Sequence, residues 1–75
     1  MSAYQVMVRQ AQTAPNEYQA IVSAVPDDGG PAQVRRDVLA TDAESRARCD
    51  FLVGLLCSEL LAQGHQILRV VGDGY

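Results

Sequence analysis

The chain has 75 residues, 48% hydrophobic and 20% charged, so it is long enough for one domain with a thin core and too apolar to stay disordered. Nine carboxylates against six arginines, with no lysine, give a net charge of −3, which excludes a broad electrostatic attraction to nucleic acid or anionic membrane. The longest apolar run, Phe51 to Leu61, is interrupted by Glu59 and falls short of the ~20 residues that span a bilayer; with no charged start and apolar core in MSAYQVMVRQ, a cytoplasmic protein is expected.

From the N-terminus, Tyr4, Val6 and Val8 alternate with Gln5, Met7 and Arg9, the period of a strand with one buried face. AQTAPNE carries a turn signal at Pro15 and Asn16, and YQAIVSAV, Tyr18 to Val25, predicts a second, antiparallel strand. PDDGGP, Pro26 to Pro31, is a loop, with glycines able to take positive φ and prolines that stop the ladder. A third strand, Gln33 to Ala40, is polar enough for a sheet edge. Its alternation sets Val34, Arg36, Val38 and Ala40 on one face, towards the helix, with Arg36 expected either to snorkel past the helix end or to pair with Asp50 or Glu59; Gln33, Arg35, Asp37 and Leu39 fall on the other.

TDAE, Thr41 to Glu44, is a capping box: the Thr41 hydroxyl accepts from the Glu44 backbone N–H while the Glu44 carboxylate reaches back to the N–H of Thr41. Asp42 and Glu44 suit the positive end of the helix, and Gly64 stops it. A β-branched segment, Ile67 to Val71, completes the chain as a fourth strand. The elements describe a small single α+β domain over residues 1–75, ordered β-β-β-α-β. The expected mixed four-stranded sheet runs 3-2-1-4 with one helix packed on one face. That order is similar to the half-sized ribonuclease H-like sheet of HicB-type antitoxins. Those proteins carry an acidic-glycine turn after the first strand and a Pro-Asp-Gly signature after the second, whereas here DDGGP follows strand 2 and the first turn lacks the motif.

The helix raises the main functional question. Cys49, Leu52, Val53, Leu56 and Leu60 share one sector and should lie on the sheet. The far side should then be polar, yet it holds Ala62 and the six residues of the expected contact set, Ala47, Phe51, Gly54, Leu55, Ser58 and Leu61. Gly54 costs ~1 kcal/mol relative to alanine in mid-helix, a cost tolerated best where another backbone comes close. Partner binding is therefore expected on this side, unless loops and the C-terminal tail fold over it or the residues are ordinary exposed apolar groups.

Other signals are weaker. Arg9, Arg35 and Arg69 are expected on the sheet face turned away from the helix; these three, together with Arg36, are the candidate contacts to phosphate or an acidic partner. Cys49 and Cys57 lie ~12 Å apart along one helix, too far to bridge, and read as small buried hydrophobes. His65, past the helix stop, suits a structural role, and with Cys57 it lacks the further ligands zinc needs. Asp27 and Asp28 lack the alternating ligands and distal glutamate of a calcium loop. No phosphate loop, nucleophile elbow or paired carboxylates point to catalysis. A non-catalytic interaction module with no metal or cofactor is expected, an adaptor or an inhibitor of the kind phages and mobile elements encode to block host complexes. It is expected to be homodimeric through the outer helix face. The alternative is a nucleic-acid-binding or antitoxin-like regulator using the sheet arginines.

Overall fold

A computed structural model describes residues 2–75. Strands β1 (Ala3–Ala14), β2 (Glu17–Pro26) and β3 (Gln33–Leu39) precede helix α1 (Asp42–Ala62), and β4 (Gln66–Gly72) follows it. The sheet order is β3-β2-β1-β4, as expected, with β1 and β4 parallel and the other two pairs antiparallel. β1 runs on through Ala11–Ala14, which the sequence pattern leaves in the turn. The β2 backbone carries the ladder that far, with Ala11 opposite Gln19 and Ala14 opposite Glu17 across a bulge at Thr13.

Strand alternation puts Tyr4, Val6 and Val8 of β1 and Ala20, Val22 and Ala24 of β2 on one face, all buried. α1 lays Cys49, Leu52, Leu56 and Leu60 on them, with Val53 and Cys57 at the margin. The two β2 alanines are fully buried, so they give the helix leucines room to pack large against small. At the helix start, Thr41 Oγ1 accepts from the Glu44 N–H at 3.1 Å, as a cap should. The reciprocal half differs: the Glu44 carboxylate accepts the Thr41 hydroxyl at 3.1 Å rather than the backbone N–H. Gly64, at φ +85°, ends the helix, and the His65 N–H returns to the Leu60 carbonyl at 3.0 Å.

β3 corrects the sequence reading. Arg35 lies opposite Val22 and Arg36 opposite Ile21, so Arg35, Asp37 and Leu39 face the helix while Val34, Arg36 and Val38 face away. Pairing with β2 decides the face, and a shift of one residue inverts every side chain. The polar side is satisfied beneath the helix by two ion pairs, Arg35 with Glu59 and Arg48 with Asp37, each at 2.9 Å. Leu39 supplies the apolar contact to the core.

The chain end is tied to the β1 edge. The Asp73 N–H donates to the Val8 carbonyl at 3.1 Å, and the Asp73 carboxylate accepts the Gln10 N–H at 2.9 Å. Gly72 makes this approach feasible: it sits at φ +124°, and a Cβ there would lie 2.0 Å from the Val8 carbonyl oxygen. Gly72→Ala is therefore expected to cost at least about 1–3 kcal/mol, read as a lower urea midpoint, whereas Gly29→Ala, in an open loop, costs less.

Candidate interaction surface

The outer side of α1 is built by the same helical period that makes the core stripe. Ala47, Phe51, Gly54, Leu55, Ser58 and Leu61 all fall on it and all are exposed, so the structure brings together the six residues the sequence singles out. Phe51 and Leu61 are 59% exposed and Leu55 39%. Arg48 and Glu59 separate this surface from the core along the β3 side, where both are held by their ion pairs. The Arg48 guanidinium also lies 5.7 Å from the centre of the Phe51 ring, a cation–π contact that orients the aromatic at the rim. Beside it a shallow hollow of ≈ 430 Å³ is lined by Leu39, Glu44, Ala47, Arg48 and Phe51.

Gly54 has nothing within 4 Å of where a Cβ would stand. No internal packing requires a glycine there. The C-terminal tail reaches α1 at its flank, where the Tyr75 hydroxyl donates to the Asp50 carboxylate and Gly74 approaches Arg46. It leaves Phe51, Leu55 and Leu61 uncovered.

The four arginines do not form one group. Arg9, Arg36 and Arg69 lie on the sheet face away from α1, set there by pairing opposite Ile21, Ile21 and Gln5 respectively. Arg35 is on the helix side, bound to Glu59, and leaves the set. Sequence alternation missed the open face as an apolar surface, because it assigned Val34 and Val38 to the core side. The ladder register alone reveals them on the same face as Met7 and Val25.

Burial pushes both thiols above their usual range, and for Cys49 the carboxylates of Asp50 and Asp73 add to it. Both cysteines are therefore poor nucleophiles at neutral pH. Among the described residues no three His, Cys, Asp or Glu side chains are grouped to hold a metal, and no helix is long and apolar enough to cross a membrane. His65 packs edge-on against Tyr4, ring centres 4.9 Å apart. Comparison with known protein families, curated proteins and solved structures finds no match.

The tail tether has a pH signature. Its hydrogen bond to Asp50, then burial and the Asp50 charge, push the Tyr75 phenol up to about 12. A raised phenol pKa favours folding in the protonated form, so the tether is complete below about pH 10, the unfolded value, and is lost as pH rises through about 12. Ultraviolet titration should show one tyrosine ionising late in the wild type, a component that Tyr75→Phe removes.

Proposed function

We propose that the chain is a non-catalytic protein-interaction module, an adaptor or inhibitor, that pairs with a second copy of itself across the outer side of α1. The observation that carries this reading is the helix's second apolar side, Phe51, Leu55 and Leu61, which no loop or tail among the described residues covers. A domain of this size has little interior, and residual apolar surface on α1 is where further burial is gained.

The side is complementary to itself. In an antiparallel pairing about a twofold axis at Gly54, Ala47 and Leu61 lie equally far from the axis, so small meets large. Arg48 comes within one residue of the opposite Glu59 on the same flank, which sets unlike charges across the seam. Gly54 then meets Gly54, where the missing side chain lets two backbones approach. Full burial of a large apolar side chain is worth about 1.5–3 kcal/mol. These three begin roughly half-buried, so the gain is about half of that for each before association costs are subtracted. The result is a modest dimer rather than an obligate one.

Light scattering should find a concentration-dependent dimer for the wild type and a monomer for a Leu55→Glu, Leu61→Glu variant. A wild type that stays monomeric at high concentration would remove this reading. Gly54→Ala separates the two roles of that position. In the double-variant background it should raise stability by about 1 kcal/mol through helix propensity, while in the otherwise wild-type chain it should weaken the dimer by crowding the axis.

A further inference from the structure

Among the described residues no layer covers the sheet face opposite α1. Met7, Val25, Val34, Val38 and Leu68 are 38% to 55% exposed there. The register arranges part of this surface as a row across all four strands: Val71 beside Met7, Met7 opposite Ser23, Ser23 opposite Val34. One row along β1 brings Arg69, Gln5 and Val25, and the row on the other side brings Arg9, Ile21 and Arg36. An aliphatic strip is thus bordered by guanidinium groups on both sides, the bordering rows ~14 Å apart at two residues of rise each. None of these ten residues is a carboxylate; the nearest are Asp73, tied to the Gln10 N–H beyond the end of the Arg9 row, and Asp27, at the hollow beside Gln5.

The three arginines are uncommitted. Among the described residues the ion pairs are those of Arg35 and Arg48, on the helix side. Arg69 donates from Nε to the Gln5 side-chain oxygen at 3.0 Å, a neutral partner. A hollow of ≈ 170 Å³ opens at the Arg69 end, lined by Gln5, Met7, Val25, Pro26, Asp27 and Leu68.

Charge and surface chemistry select the occupant. A second copy laid face to face would set Arg9, Arg36 and Arg69 against like charges. Nucleic acid would gain phosphate contacts but no stacking, because Tyr4 and Tyr18 are on the helix side of the sheet, Phe51 is on α1 and Tyr75 is in the tail. We propose that this face docks an acidic amphipathic helix of another protein. Its aliphatic stripe rests on the Val71–Met7–Ser23–Val34 row, and its flanking carboxylates meet Arg69 on one side and Arg9 and Arg36 on the other. An α-helix with its side chains is ~10–12 Å across, a width the strip accommodates.

The test uses the full chain and a labelled synthetic helix with a leucine stripe flanked by glutamates, read by fluorescence anisotropy. Its lysine-flanked counterpart, a single-stranded RNA and anionic vesicles serve as competing probes. The glutamate helix should bind and shift the amide resonances of Met7, Ser23 and Val34. Arg9→Gln, Arg36→Gln and Arg69→Gln together should weaken it roughly tenfold, the sum expected of three exposed charge pairs. These positions are exposed, and circular dichroism verifies that the variant folds. The Leu55→Glu, Leu61→Glu variant should bind as well as the wild type, which keeps this result independent of the dimer. No binding of the glutamate helix, equal binding of the lysine helix, or tighter binding of RNA or vesicles would each overturn the proposal. So would oligomers that grow with concentration and vanish on Met7→Glu alone, since the occupant would then be a second copy.

Discussion

One helix covers one face of a four-stranded sheet, and everything else about this molecule follows from how little that single contact can hide. The interior is the interdigitation of Cys49, Leu52, Leu56 and Leu60 with Val6, Val8, Val22 and two alanines of β2. Ala20 and Ala24 matter because they bring the helix down onto the middle of the sheet, where Leu56 and Leu60 become inaccessible. A chain this short cannot build a second layer. Its remaining apolar side chains are divided between the back of the helix and the back of the sheet, two surfaces facing opposite ways.

Charge follows the same division. Between helix and edge strand, Arg35 with Glu59 and Arg48 with Asp37 fasten β3 beneath α1. Each pair is partly exposed and contributes no more than about 1 kcal/mol, so they reinforce a face that pairing with β2 has already set. With Arg35 and Asp37 inward, Val34, Arg36 and Val38 point outward. The open face then gathers three cations in a chain whose net charge is −3.

Much of this was legible in the residues. Thr41 and Glu44 marked the helix start, Gly64 its end, and alternation at Tyr4, Val6 and Val8 gave the buried side of β1, while for β2 only the segment was legible. The double-sided helix was legible too, since the six outer positions follow from the helical period alone. β3 was not, because two valines in an edge strand look like core residues when their cross-strand partners are unknown. The length of β1 was hidden for a related reason: Ala11 to Ala14 have little strand propensity and are extended only because β2 pairs with them. The extra residue in β4, where Tyr4 pairs with Ile67 but Gln5 with Arg69, left no trace in composition. It turns Leu68 outward with Arg69 and adds to the open face.

The placement of α1 on one side only also governs how a paired form would present itself. Two copies joined back to back through their helices leave both sheets on the outside, pointing in opposite directions. Such an assembly is divergent and bivalent: it can cross-link two acceptors but cannot close both sheets around a single rigid one. Its strength on a clustered target would rise through effective concentration, and a monomeric variant would lose that gain without losing a single contact to the acceptor.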